Sequence, residues 1–260
     1  MLLLSFAFLS FITIIKVVSS PSPGFTFAQS IPKGGNSEIQ VIQPEGVDID
    51  PEGNLYVNDI EPNRIIKFSN NGTYILSWGS TGSNDGQFNH PHGNEVDQDG
   101  NVYITDQGNT RVQKFTSNGT FITKWGSEGS EDGQFIQPWD VAVDSSNLVY
   151  VPDYGNNRIQ VFTNNGTFIT KWGSEGSADG QLNQPAVITF DPTGLLYITD
   201  SGNHRVQTFD KNGTFIAKWG SEGDGDGQFS KPESIAVDHV GHVYVADTTN
   251  NNVQMFIPKS

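Results

Sequence analysis

The proline-led phrase that restarts at Pro44, Pro91, Pro138, Pro185 and Pro232 constrains this chain more than any other feature. Each restart falls 47 residues after the last, without slippage. The copy from Pro91 to Gln137 reads PHGNEVDQDGNVYITDQGNTRVQKFTSNGTFITKWGSEGSEDGQFIQ. A period of this length with strand-like content marks a propeller or a stacked array of small sheets. Each full copy predicts four strands. The first is short and apolar: Gly46–Asp50, Asn94–Asp97, Val141–Asp144, Ile188–Asp191 and Ile235–Asp238. The second is Leu55-Tyr56-Val57 and its copies, each ending at an Asp. The third alternates, as in Val112-Gln113-Lys114-Phe115. An Asn-Gly pair follows and predicts a type I′ hairpin, whose two central residues need positive φ. The fourth is Phe121–Trp125 and its copies.

Four antiparallel strands make one blade, and neighbouring blades cover its two faces. The expected fold is therefore an all-β propeller of five four-stranded blades, with residues 21–260 forming a single domain. The fifth copy stops at Phe256, after its third strand. Residues 25–43 fit the missing quarter, with Phe27 in the place of Phe121 and Ile31 in that of Trp125. The N-terminal strand is expected to join the C-terminal blade and close the ring.

Residues 1–20, MLLLSFAFLSFITIIKVVSS, are an apolar run ending in small residues, which reads as a secretory leader. An uncleaved anchor is the alternative, and membrane contact is expected only in that case. The expected location is secreted or extracytoplasmic. The formal charge is −15, from 29 acidic and 14 basic residues. Nucleic-acid binding needs a basic surface that releases counterions from phosphate, so no nucleic-acid partner is expected. The chain has no cysteine, which removes disulfides, thiolate metal sites and a cysteine nucleophile.

VDQDGNVYIT followed by DQGNTRVQKF resembles the NHL repeat, as do DYGNNRIQVF and DSGNHRVQTF. The resemblance covers about residues 44–256, five times over. It implies a propeller with the first strand innermost and ligands on the face where strand 2–3 turns meet the blade linkers. The family usually closes with six blades, whereas this chain has five copies. Amidating lyases of related build hold zinc with several channel histidines. Of the five histidines here (90, 92, 204, 239 and 242), only His92 opens an inner strand. Streptogramin-type lyases, also propellers, imply a His and a Glu with a metal near the channel, for which His92 with Glu45 or Glu233 is the available match. RNA-binding and ubiquitin-ligase relatives carry basic faces or a Cys-rich zinc module, and this chain has neither.

Residues shared by the copies read as scaffold. Asp59 with Arg64, Asp106 with Arg111, Asp153 with Arg158, and Asp200 with Arg205 form a recurrent pair expected to brace the strand 2–3 turn. The fifth copy has Asp247 but Asn252. Trp78, Trp125, Trp172 and Trp219 recur at one position and are expected between blades. Asn71, Asn118, Asn165 and Asn212 head Asn-Gly-Thr triplets, which have the form of N-glycosylation acceptors and also of plain hairpin turns.

Function is sought where the copies differ. The residue after the repeat proline is Glu45, His92, Trp139, Ala186 or Glu233, and the next is Gly46, Gly93, Asp140, Val187 or Ser234. Glu45, His92, Trp139, Asp140 and Glu233 are the ligand-binding candidates. Glu45, His92 and Glu233 are also candidates for holding a divalent cation or for acid–base work. A polar, solvated channel mouth would look the same. Glu222, Asp224 and Asp226 with Glu233 approach a calcium-loop spacing, but the sister linkers share that frame without its ligands. The expected function is a non-enzymatic scaffold that binds a protein or small-molecule ligand, with no resident cofactor. The alternative is a metal-dependent lyase or hydrolase with its site at the channel mouth.

Overall fold

A computed structural model describes residues 39–258. Five antiparallel sheets follow one another in chain order. Blade 1 is β1 (Pro44–Ile49), β2 (Leu55–Asp59), β3 (Arg64–Phe68) and β4 (Tyr74–Trp78). Blade 2 is β5 (Pro91–Val96), β6 (Val102–Asp106), β7 (Arg111–Phe115) and β8 (Phe121–Trp125). Blade 3 is β9 (Ala142–Val143), β10 (Val149–Asp153), β11 (Arg158–Phe162) and β12 (Phe168–Trp172). Blade 4 is β13 (Pro185–Phe190), β14 (Leu196–Asp200), β15 (Arg205–Phe209) and β16 (Phe215–Trp219). Blade 5 is β17 (Pro232–Val237), β18 (Val243–Asp247) and β19 (Asn252–Phe256). Each blade is a meander with its strands in sequence order. The first strands of four blades, with Asp140 and Val141 just before β9 of blade 3, line one channel cavity of about 190 Å³, so the first strands are innermost.

Two expectations need correction. The inner strands begin at the proline itself in four blades, and shrink to two residues in blade 3. The Asn-Gly turns are not type I′. Gly72, Gly119, Gly166 and Gly213 have positive φ, but the preceding Asn residues do not. Thr116 N–H bonds to the Thr120 carbonyl and Gly119 N–H to the Thr116 carbonyl, which makes a three-residue loop closed by a left-handed glycine. The extra residue appears as the register shift between Lys114 and Phe115. Tertiary packing selects this turn. A Cβ on Gly119 would lie 2.7 Å from the ring of Trp78 in the preceding blade, so the turn is flattened onto that indole.

The tryptophans pack between blades as expected. Trp78 meets Phe115 of blade 2 at 5.8 Å, and Trp219 meets Phe256 of blade 5 at 5.6 Å. The Asp–Arg pairs are braces, and they also fasten the linker. Asp106 accepts from Arg111 Nε at 2.7 Å and from the Asn89 backbone N–H at 2.7 Å. The rest of the Arg111 guanidinium donates to the Ser83, Asn84 and Gln87 carbonyls of the incoming linker. A buried charge pair with this many partners is stabilised on all sides.

Residues 1–20 and 25–38, on which the leader and the closing strand were expected, lie outside the described residues. The last blade shows three strands.

Candidate functional site

Bulges build the channel mouth. β1 and β2 change register between Pro44 and Val47, β5 and β6 between Pro91 and Asn94, and β17 and β18 between Pro232 and Ser234. In blade 3 the same stretch leaves the ladder, with an isolated Pro138–Asp153 bridge before β9. A bulge re-aims the side chains it carries. The residues after each proline are therefore the ones turned toward their neighbours around the ring.

Three of the five candidates come together. Glu45 Oε2 lies 3.9 Å from His92 Nε2, and Glu45 Oε1 lies 3.6 Å from His90 Nε2. His90 stacks on His92 with ring centroids 5.9 Å apart, and His92 meets Trp139 at 4.5 Å. Trp139 in turn stacks on Tyr154 at 4.3 Å and 19°. Four rings thus form a ladder across blades 2 and 3. Tyr154 begins the one-turn 3₁₀ helix Tyr154–Asn156, which places this ladder on the strand 2–3 face.

Glu233 stands apart from Glu45 and His92. Its carboxylate pairs with Lys231 Nζ at 2.5 Å, and both charges act on the Tyr154 hydroxyl, at the far end of the ladder. Among the described residues no group of three or more His, Asp or Glu side chains is arranged to hold a metal ion. Glu222, Asp224 and Asp226 likewise do not converge with Glu233. Their loop is shaped by Gly225 and Gly227 N–H groups donating to Gln228 and Gln254.

Burial decides the charge states. It lowers His92 to about 3, with the neighbouring His90 adding to the effect, so this imidazole is neutral at physiological pH. Burial also raises Glu45 to about 7. The close approach of Glu45 and His92 is therefore a contact between weakly charged groups, not an ion pair.

Asp140 lies lower, in the channel. It accepts from the Ile188 N–H of blade 4 at 3.1 Å, as Asp48 accepts from the Val96 N–H of blade 2 at 2.6 Å. Burial raises both carboxyls to about 7. Glu95, between them, is raised well above its ordinary value by burial and then by Asp48 and Asp140. These carboxyls cap N–H groups on the inner edge strands of neighbouring blades, which no further strand pairs with.

The space below the ladder is small. A cavity of about 30 Å³ is lined by Glu45, Gly46, His92, Gly93, Asn94 and Asp140. That volume holds about one or two waters. Gly46 keeps it narrow, since a Cβ there would meet the His92 carbonyl at 2.3 Å. The cavity is too small for an organic ligand.

The glycosylation candidates lie on exposed strand 3–4 turns. Thr73, Thr120 and Thr167 hydroxyls donate to the Asn71, Asn118 and Asn165 side-chain oxygens at 2.8, 3.0 and 3.2 Å. In blade 4 Asp210 takes the turn contacts instead, accepting from Asn212 and Thr214 N–H groups.

Sequence reasoning missed His90, Tyr154 and Lys231. The residues before the proline are Gln43, His90, Gln137, Gln184 and Lys231, so the comparison used one place further on would have flagged two of them. Tyr154 carries no such signal, because its position varies in every copy.

The NHL repeat model matches residues 88–115, 135–162, 182–209 and 229–256. The chain is an NHL-repeat β-propeller protein. No curated protein sequence matches it. Among solved structures, a streptogramin B lyase superposes with a TM-score of 0.61 and 16% identity, covering 84% of this chain and 69% of its own. A catalytically inactive virginiamycin B lyase from Staphylococcus aureus with quinupristin gives 0.61 and 16%, covering 86% and 73%. A protein of unknown function from Bacteroides caccae gives 0.58 and 13%, covering 78% and 71%. At such identities the likeness is one of fold.

Proposed function

We propose that this propeller is a non-enzymatic extracytoplasmic scaffold that binds a protein or small-molecule ligand on its strand 2–3 face. The observation that carries this reading is the ring ladder His90–His92–Trp139–Tyr154, flanked by Glu45 and by the Lys231–Glu233 pair. These residues break the repeat, whereas Asp106, Arg111 and Trp125, which keep it, are occupied by turn and blade contacts. The water-sized cavity beneath favours recognition at a rim over chemistry in a pocket. Arrayed oligosaccharides and peptides test it: hits should be lost in Tyr154→Ala and His90→Ala and kept in Asn118→Gln. Hits indifferent to Tyr154 and His90 would overturn it.

The second reading is a metal-dependent lyase or hydrolase at the same mouth. Glu45, raised to about 7 and within 4 Å of two imidazoles, is the feature that favours it. A stoichiometric divalent ion in purified protein, lost in His92→Ala, would establish this reading over the first.

Residues 25–43 are proposed to complete the last blade, supplying its fourth strand. In support, Arg64 donates to the Gln40 carbonyl as Arg111 does to Gln87, and the Ile42 and Gln43 N–H groups bond to Asp59. The chain therefore enters blade 1 in the geometry of a linker arriving from a preceding fourth strand. Deleting residues 1–38 should lower Tm by about ten degrees, and an unchanged Tm would sink the idea. Residues 1–20 are proposed as a cleaved export leader, checked by the N-terminal sequence of protein recovered outside the cytoplasm.

A further inference from the structure

The Asn-Gly-Thr triplets of the strand 3–4 turns play no part in the function proposed above, and the structure separates what each of their residues does. The glycines answer to packing. A Cβ on Gly119, Gly166 or Gly213 would collide with the ring of Trp78, Trp125 or Trp172 in the preceding blade. In blades 1 to 3 the turn uses the asparagine oxygen. Asn71 Oδ1 accepts from the Ser69 and Thr73 hydroxyls at 2.7 and 2.8 Å. Asn118 Oδ1 accepts from Thr116 and Thr120, and Asn165 Oδ1 from Thr163 and Thr167. The side-chain bonds of Asn118 and Asn165 all fall on the oxygen, so the turn leaves Nδ2 to solvent.

Blade 4 is an internal control. Asp210 replaces the hydroxyl at the head of the turn, and its carboxylate accepts from the Asn212 and Thr214 N–H groups at 2.9 and 2.8 Å. There the turn is built on Asp210 and not on the asparagine oxygen, yet the triplet is still Asn-Gly-Thr. The turn alone therefore does not require asparagine and threonine together. What the four copies share is exposure: Asn71, Asn118, Asn165 and Asn212 are all at the surface, and so are the threonines that follow them. In a meander of four strands the 3–4 turns lie on the face opposite the 2–3 turns, so all four triplets face away from the ring ladder.

We propose that Asn71, Asn118, Asn165 and Asn212 are acceptors of N-linked glycans, carried together on the strand 3–4 face. An exposed Asn-x-Thr turn on an exported chain has the form such a transfer needs. The inference rests on the export proposed above. In the transfer, Nδ2 attacks the anomeric carbon of a lipid-phosphate-linked sugar. The C–N bond forms, the bond from that carbon to the phosphate oxygen breaks, the lipid phosphate leaves with the bonding pair, and Nδ2 gives up one proton. Oδ1 remains an acceptor afterwards, so Asn118 and Asn165 can carry a sugar with every turn bond in place. The glycans leave the strand 2–3 face open to its ligand.

The test expresses the full chain in yeast in two forms, one with its own leader and one with residues 1–20 replaced by a yeast export signal. Intact mass is measured before and after peptide N-glycosidase. Secreted protein carrying the yeast signal should lose glycan mass, with Asp read in place of Asn at the four positions. Asn118→Gln should lower the starting mass by one glycan. Thr120→Ala should do the same while keeping the asparagine, and Thr120→Ser should restore the glycan, so the result does not hang on one variant. A sugar-free protein secreted by the yeast signal, or an unchanged mass in both Asn118→Gln and Thr120→Ala, would overturn the assignment. Glycan on the yeast-signal form alone would uphold the acceptor sites and sink the leader instead.

Discussion

Among the described residues, four junctions between successive blades are alike, and the fifth is not. Each of the first four carries a buried apolar cluster drawn from both blades. At the first, Tyr56 and Ile65 of blade 1 pack on Phe88, Val102 and Phe115 of blade 2. Similar clusters join blades 2 and 3, 3 and 4, and 4 and 5. Between blade 5 and blade 1 no such shared cluster forms among the described residues. Val57, Ile66 and Phe68 of blade 1 are covered by Ile39 and Val41 instead. On blade 5, Val253 is 43% and Met255 54% exposed, where their counterparts in the other blades are buried. An identical repeat therefore does not guarantee identical energetics. A blade face is stabilised only when a neighbour removes it from water.

That contrast predicts graded effects. Trp125→Ala, in a filled junction, should cost about 3–5 kcal/mol in urea unfolding, whereas Met255→Ala should cost about 0.5 or less. Equal costs would show that the fifth junction is filled in solution. Arg111→Ala leaves buried Asp106 without its guanidinium and should cost about 3 kcal/mol or more. Asn252→Arg would give blade 5 the brace it lacks, with an expected gain of about 1 kcal/mol. No gain would mean that the Ser230, Lys231 and Asn250 donors already satisfy Asp247.

The channel predicts a smaller, pH-dependent effect. Glu45, Asp48, Asp140 and Glu95 hold protons in the folded state at pH values where the unfolded chain has lost them. The folded state then binds more protons, so stability is greatest on the acid side and declines as pH rises through about 7. His92 and His90 oppose this, since their folded pKa values are lowered and the unfolded chain protonates first. Four carboxyls outweigh two imidazoles. Tm should be higher at pH of about 5.5 than of about 8, and Asp48→Asn should flatten the slope. A Tm that falls on acidification would refute these charge states. The smallest effect is expected at Lys124–Asp85, an exposed pair whose removal should cost about 0.2–1 kcal/mol.

Much of this was legible in the period of the sequence. Strand order, blade number, the Asp–Arg braces and the inter-blade tryptophans follow from which residues recur, because each copy faces the same neighbours. The candidate site was legible in part. Glu45, His92 and Trp139 stood out as departures from the repeat, and the fold brings them together. Glu233 stood out equally, but it pairs with Lys231 rather than with Glu45 and His92. Its partner is two residues away, in the position before the repeat proline.

The sequence by itself determined the five-bladed all-β architecture, since periodicity and strand alternation are properties of the chain. Only the tertiary structure decided the rest. It chose the turn at Asn118-Gly119, because Trp78 of another blade lies against it. It kept His92 neutral and raised Glu45, because burial is a property of the assembled ring.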